Sequence, residues 1–337
     1  MGKPLITLGV ITYNQLRYVA ETLDGCFAQT YSPLEILISD DYSTDGTAEI
    51  IERKIADYKA SGGRHSVVFH RNEKNLGILR NFEQCFKLMH GELLVHNGGD
   101  DVSYPDRVEK ITAAWLDAGR IHKFVAHAYD RIDAKGKFLT PVCMCASGKP
   151  IEMDLVFRLG ACVAYSKDIC ERFKQSFERT SEDWVMETRA YMLGKALDMP
   201  ERLSKYRLGS VLSTRSFRES RIGTADRLQV AAQVIWRDLD VAKAWLSDER
   251  IATIRRTIEK KIKIREDWRH LLDGKTYNER KAAYDAGARL CLPFNAPECF
   301  RRVLLLPAWL ADPIIKFISM IVFSWWRMQG RMKKERK

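Results

Sequence analysis

The sequence predicts an α/β fold: a parallel sheet with helices on both faces, followed by a helical C-terminal region. Three observations carry this prediction. Short apolar runs rich in β-branched residues alternate with amphipathic helical patterns from residue 5 to residue 97, the order expected of strand–helix–strand units. The runs end in Gly, Asn, Asp and Ser, residues with turn and cap chemistry. Beyond about residue 220 the pattern changes to long, charged helical stretches, so the α/β region is placed at 1–220 and a helical region at 221–337.

Residues 5–12, Leu-Ile-Thr-Leu-Gly-Val-Ile-Thr, read as a buried strand. Tyr13 and Asn14 follow, then a helix over about Tyr18 to Gln29. Leu34 to Ser39 is a second strand, ending in Asp40 and Asp41, and Ser43-Thr44-Asp45-Gly46-Thr47 opens a helix to about Tyr58. A third strand lies near Ser66 to His70, a loop at Asn72 to Gly77, a helix at Asn81 to His90 and a fourth strand at Leu93 to Asn97. A helix and a strand near Lys123 to Ala128 come next, and Asp133 to Lys137 forms a hairpin-like turn. Gly160 to Ser166 is a small-residue strand leading into a helix at Lys167. Val185 to Leu193 is helical, Ala196 to Pro200 strand-like, and 225–246, 247–272 and 276–290 are long helices.

Composition narrows the class. With 46% hydrophobic and 29% charged residues the chain is globular, not disordered. The net charge of +11 is concentrated in the last third. Eight cysteines occur without a repeated CxxC pair, and Cys143-Met144-Cys145 is too tight for zinc, so buried free thiols are expected. Met1 to Gly9 lacks the basic-then-apolar pattern of a secretory leader.

In a parallel sheet, ligands bind at the carboxyl ends of the strands. Tyr13, Asp41 and Asp101 all fall there. The stretch Leu93-Leu94-Val95-His96-Asn97-Gly98-Gly99-Asp100-Asp101 ends an apolar run in two glycines and two adjacent carboxylates. Adjacent carboxylates repel, and a divalent cation that shares its shell with phosphate oxygens would keep both ionised. The alternative is an Asp-Asp turn before the helix that begins near Pro105.

Val10-Ile11-Thr12-Tyr13-Asn14, Gln29-Thr30-Tyr31, Ser39-Asp40-Asp41-Tyr42-Ser43-Thr44-Asp45-Gly46-Thr47, Asn75-Leu76-Gly77, Gly99-Asp100-Asp101 and Pro105-Asp106-Arg107 together resemble the family 2 glycosyltransferases, in that family's order and approximate spacing. The resemblance covers about residues 4–215. It implies a Rossmann-like nucleotide-sugar domain with a mixed, mostly parallel sheet, the A-type glycosyltransferase fold.

The same resemblance implies roles. Thr12, Tyr13 and Asn14 would hold the nucleotide, with Tyr13 stacking on the base, and Asp41 would accept the pyrimidine N3–H. Asp100 would face the sugar or ribose, and Asp101 would bind Mg²⁺ or Mn²⁺ at the diphosphate. Arg80 is either a ligand contact or a solvated helix arginine. In Thr180-Ser181-Glu182-Asp183-Trp184 the family's Glu-Asp pair places Asp183 as catalytic base; a helix cap is the compatible alternative. After Tyr206-Arg207 the family often has a histidine where this chain has Gly209, which leaves Arg207 or Arg215 to supply positive charge.

The tail has its own signature. Between Val303 and Trp326 the only charges are Asp312 and Lys316, and Ile314 to Trp326 is shorter than the ~20 residues of a spanning helix. Its tryptophans, followed by Arg327, Arg331, Lys333, Lys334, Arg336 and Lys337, suit a helix lying in an anionic membrane surface.

These features together predict an inverting glycosyltransferase. It would use a nucleoside diphosphate sugar, UDP-linked, and a saccharide or lipid-linked saccharide acceptor of cell-surface polysaccharide biosynthesis. It would be cytoplasmic, peripheral on the inner-membrane face, with no nucleic-acid partner. The rivals are a metal-dependent nucleotidyltransferase, which would want a Gly-rich phosphate loop that Thr12-Tyr13-Asn14 lacks, and a basic membrane- or nucleic-acid-binding module.

Overall fold

The structure is a computed structural model and describes residues 2–142, 150–151, 160–173, 182–208, 217–273 and 278–279. The first four strands are β1 (Ile6–Thr12), β2 (Leu34–Asp40), β3 (Ser66–Arg71) and β4 (Leu93–Gly98), with helices α1 (Val19–Phe27), α2 (Thr47–Ala60) and α3 (Ile78–Leu88) between them. β5 (Val102–Ser103), α4 (Arg107–Asp117), β6 (His122–Ile132), β7 (Phe138–Val142), β8 (Pro150–Ile151), β9 (Val163–Ser166), α5 (Asp168–Arg172), α6 (Glu182–Leu193) and β10 (Lys195–Arg207) follow.

The strands form one mixed sheet in the order β3-β2-β1-β4-β9-β6-β10-β5, with β7 on β6 and β8 on β10. β3, β2, β1 and β4 run parallel, as the strand–helix alternation predicts. β9 then enters antiparallel between β4 and β6. This is the mixed α/β architecture that the resemblance implies.

Period-two alternation divides the two faces of the sheet. Ile6, Leu8, Val10, Ile36, Ile38, Leu93 and Val95 share a buried cluster with Val19 and Leu23 of α1, Ile51 and Ile55 of α2, and Val108, Ile111 and Trp115 of α4. The opposite face receives α3. Gly9 leaves room there: a β-carbon on it would lie 2.6 Å from Leu94 Cδ1 and 3.6 Å from Cys85 Sγ. Phe82 and Phe86 of α3 pack with Tyr165 of β9, and Phe124 of β6 packs edge-on to the same ring.

Both sequence-predicted turns form. Asp133 N–H donates to the Lys137 carbonyl at 2.9 Å, with Gly136 at φ 79°. Asp40 ties the 40–47 turn, accepting Thr12 Oγ1 at 2.8 Å and the Ser43 N–H at 2.9 Å.

The chain divides into two compact units. One holds residues 1–210 and takes back 234–245; the other holds 211–233 and 246–337. A cut at residue 220 would therefore remove 234–245 from the first unit. That segment belongs to α7 (Phe217–Ala242) and the turn after it. Asp238 forms a buried ion pair with Arg189 of α6 at 2.7 Å, and the Trp245 indole N–H donates to the Met192 carbonyl at 3.0 Å. In the second unit, α8 (Asp248–Asp273) buries Ile251, Ile254 and Ile258 at period-three and period-four spacing. Residues 209, 215, 143–145, the helix expected at 276–290 (beyond 278–279) and the apolar basic tail lie outside the described residues. Among the described residues no helix is long and apolar enough to cross a membrane.

Candidate active site

The adjacent carboxyl ends of β2, β1 and β4 bring most of the predicted residues together. Thr12 pairs in register with Asp40, and Ile11 with Gly98. Gly99 comes so close to β1 that a β-carbon on it would lie 2.8 Å from Thr12 Cγ2 and 3.0 Å from the Ile11 carbonyl. Its carbonyl accepts Thr22 Oγ1 of α1 at 3.0 Å.

Asp101 sits in the turn between β4 and β5 and is buried. Its Oδ1 accepts the Arg207 N–H at 2.8 Å. A β-carbon on Gly98 would lie 2.8 Å from Asp101 Oδ2 and 3.1 Å from Asp100 Oδ1, so both carboxylates converge over this glycine. Burial pushes the Asp101 carboxyl well above the usual carboxylate range, and the Asp100 charge adds to the push; the Arg207 N–H and the Arg107 and Arg207 guanidinium groups oppose it. Two converging carboxylates, one of them buried, are a donor set that suits a hard divalent cation. Among the described residues no three His, Cys, Asp or Glu side chains gather into a metal cage, so a cation here would complete its shell with diphosphate oxygens and water.

Asp41 is buried and holds the Asn75-Leu76-Gly77 loop. Its Oδ1 accepts Asn72 Nδ2 at 2.9 Å and the Leu76 N–H at 2.7 Å, and its Oδ2 accepts the Gly77 N–H at 2.8 Å. This leaves acceptor capacity on Oδ2. Asn14, at φ 51°, accepts the Thr44 N–H on Oδ1 at 3.0 Å and donates its own N–H to Ser43 Oγ at 2.9 Å. Thr12 and Asn14 thus spend their side chains on tying β1 to the 40–47 turn, while Tyr13 is 44% exposed and free to meet a flat ring. Arg80 is exposed on α3.

Arg207, one of the two arginines expected to supply positive charge, sits against the Asp100-Asp101 turn, and its charge acts on Asp101. Its guanidinium donates to the Asp100 carbonyl, the Glu21 carboxylate and the Asp133 carbonyl, and stacks 4.7 Å from the Tyr18 ring.

Asp183 lies in the first turn of α6, against Gly160 of the 3-10 turn before β9. The buried thiol of Cys162 is pushed up to about 12 by burial and then by Asp101, with a smaller push from Asp183. Both carboxylates are therefore within electrostatic reach of one buried side chain.

Sequence reasoning gave Arg107 no role. It is fully buried and uses all five N–H donors: Nε to His127 Nε2 at 3.0 Å, one nitrogen to Asn97 Oδ1 at 2.8 Å and Ser103 Oγ at 2.9 Å, the other to the carbonyls of His96 at 2.7 Å and Ala161 at 2.9 Å. It joins β4, β5, β6 and the 160–162 turn behind the carboxylates. Cys26, Cys85, Cys162 and Cys170 are free thiols.

Residues 7–172 match the sequence profile described as glycosyl transferase family 2. The chain belongs to glycosyl transferase family 2. This family 2 glycosyltransferase is 27% identical over 141 residues to EpsE of Bacillus subtilis (strain 168), a glycosyltransferase by name, covering 41% of this chain and 49% of that one. It is 24% identical over 217 residues to alr2836 of Nostoc sp. (strain PCC 7120), named as an uncharacterised glycosyltransferase, covering 60% of this chain and 64% of that one. The match spans less than two thirds of each of these relatives.

Among solved structures, the family 2 glycosyltransferase superposes on S. aureus TarS 1–349 in complex with UDP-GlcNAc with a TM-score of 0.53 and 16% identity, covering 86% of this chain and 93% of TarS 1–349. A mannosyltransferase of Pyrobaculum calidifontis in complex with GDP-Man and Mn²⁺ gives a TM-score of 0.58 and 17% identity, covering 99% of this chain and 85% of that one. These likenesses establish the shared α/β fold.

Proposed function

We propose that the protein is an inverting glycosyltransferase that moves a sugar from a nucleoside diphosphate donor, UDP-linked, to a hydroxyl of a glycan or lipid-linked saccharide in cell-surface polysaccharide assembly. The observation that carries the reading is the convergence of the Asp100 and Asp101 carboxylates over Gly98, with the Asp183 carboxylate held against Gly160 of the turn before β9. A transfer with inversion needs a base on one side of the anomeric carbon and charge stabilisation for the leaving group on the other.

In this reading Tyr13 stacks on the base and the remaining acceptor site of Asp41 takes a pyrimidine N–H. Asp183 removes the proton of the acceptor hydroxyl as its oxygen attacks the anomeric carbon in line. Asp101, with Asp100 converging beside it, would hold a Mg²⁺ or Mn²⁺ ion, whose Lewis acidity offsets charge on the departing diphosphate. Arg107 and Arg207 keep that turn in shape from behind. The nucleotide-sugar complexes of the two similar solved structures support a donor of this class. The apolar, tryptophan-bearing tail and its basic end support a place on an anionic membrane face, where a lipid-linked acceptor would be met.

The test is a screen of UDP- and GDP-sugars for donor hydrolysis with Mg²⁺, with Mn²⁺ and with chelator. Metal-dependent hydrolysis of one UDP-sugar is expected. Failure of every nucleotide sugar to bind or turn over would overturn the proposal.

A further inference from the structure

We propose that His96 and Gly160 are positioning residues that together form the seat of the Asp183 carboxylate. The inference rests on Asp183 acting as the base.

The seat is made by an absence. A β-carbon on Gly160 would overlap Asp183 Oδ1 and lie 3.2 Å from its Cγ. Only glycine at 160 lets the carboxylate lie against the backbone of the 160–162 turn. That backbone is in turn held by His96, whose Nδ1 meets the Gly160 carbonyl at 2.9 Å. A carbonyl oxygen only accepts, so Nδ1 carries the proton and Nε2 is the bare nitrogen. Nε2 is buried with no hydrogen-bond partner among the described residues. An unmatched polar atom in the interior is a cost, and an apolar side chain at 96 would remove it. The imidazole is explained by the bond its other nitrogen makes. The edge of Phe82, 4.8 Å away between ring centres, fixes the ring's plane, and burial, pushing the imidazole down to about 4, keeps it neutral at physiological pH.

The same residue ties the seat to the other half of the site. The His96 carbonyl and the Ala161 carbonyl share one nitrogen of Arg107. β4 is therefore fastened to the 160–162 turn through the side chain of His96 and again through its backbone. Four and five residues further on, the turn that leaves this strand carries Asp100 and Asp101. The base and the leaving-group station are thus referred to one strand, which fixes their separation.

The experiment compares Gly160→Ala, His96→Asn, His96→Leu and Asp183→Asn in the full chain, reading kcat and donor KM for transfer, UDP affinity by calorimetry and thermal stability. Asn offers an N–H close to the Nδ1 position, and Leu offers none. Gly160→Ala and His96→Leu are expected to lose ~10²-fold in kcat, the scale of a 1 Å misplacement, with donor KM and UDP affinity unchanged. His96→Asn should recover most of that loss. Full transfer in Gly160→Ala, with Asp183→Asn inactive, would overturn the seat and leave the base standing. Activity in Asp183→Asn would instead overturn the base. A raised donor KM with kcat intact would make Gly160 a donor contact and sink the proposal. If Gly160→Ala does not fold, the two His96 variants decide: equal loss in both overturns the role of the hydrogen bond.

Discussion

The backbone N–H of Arg207 donates to Asp101 Oδ1 at 2.8 Å, across 106 residues of chain. The Arg207 side chain returns along the same turn to the Asp100 carbonyl, also at 2.8 Å. One residue at the end of β10 therefore orients a carboxylate with its amide and the neighbouring backbone with its guanidinium. A proline at 207 would remove the first contact, and a lysine could not reproduce the Nε contact together with the ion pair to Glu21.

Asp101→Ala is expected to abolish transfer and to weaken UDP binding in Mn²⁺. Calorimetry with UDP, run with and without Mn²⁺, reads both effects. Equal UDP affinity in the two conditions for the native chain, with normal turnover in the variant, would remove the metal role.

Asp183→Asn keeps the size and cap chemistry of the side chain but accepts no proton at neutral pH. Transfer should fall by ~10²–10⁴-fold, the range for loss of a general base, while UDP affinity stays constant. Single-turnover transfer and thermal stability on one preparation check this. A folded variant with near-normal transfer would point to Glu182, the other carboxylate of the pair.

Stability should fall in mild acid. Burial moves His96 from 6.5 to about 4 and His127 well below 6.5, with Arg107 adding to the latter. A histidine whose folded pKa is depressed stabilises the fold above its unfolded pKa, and that contribution is lost as pH falls through the interval between the two values. For His96 this amounts to roughly 3 kcal/mol between pH 6.5 and 4. Asp101, with a raised pKa, acts in the opposite direction. The difference in Tm between the native chain and His96→Asn, followed from pH 7.5 to 4.5, cancels Asp101. The native chain should lose more Tm than the variant; parallel curves would refute the assignment.

A chain ending near residue 296 should lose co-sedimentation with anionic liposomes and keep donor hydrolysis, since every proposed site residue precedes residue 216. Liposome binding that survives the truncation would place membrane affinity elsewhere.

The parallel half of the fold was legible because β-branched runs such as Leu8 to Ile11 and the polar ends at Tyr13, Asp41 and Asp101 repeat one local pattern. β9 was legible as a strand, but its antiparallel entry between β4 and β6 was not, since nothing local encodes which neighbours a strand chooses. Arg107 was quoted within a motif and given no role. A buried arginine reads like a surface one until its acceptors, from His96 to Ala161, are brought together by the fold. Asp41 was legible as a carboxylate at the end of a strand; that three N–H groups of the 72–77 segment meet it was not.

The return of residues 234–245 to the first unit sets an order of events during synthesis. Arg189 leaves the ribosome 49 residues before Asp238, the carboxylate it is buried against. At 5–20 residues per second that gap lasts roughly 2–10 s. Throughout it, the Arg189 guanidinium lacks the Asp238 carboxylate against which it is buried in the folded chain, and a buried charge is costly when a hydrogen-bonded partner is missing. The helix bearing Asp183 would therefore dock late, after the parallel half of the sheet has formed. A nascent chain halted between residues 210 and 234 would hold the parallel strands complete, with α6 still lacking Asp238.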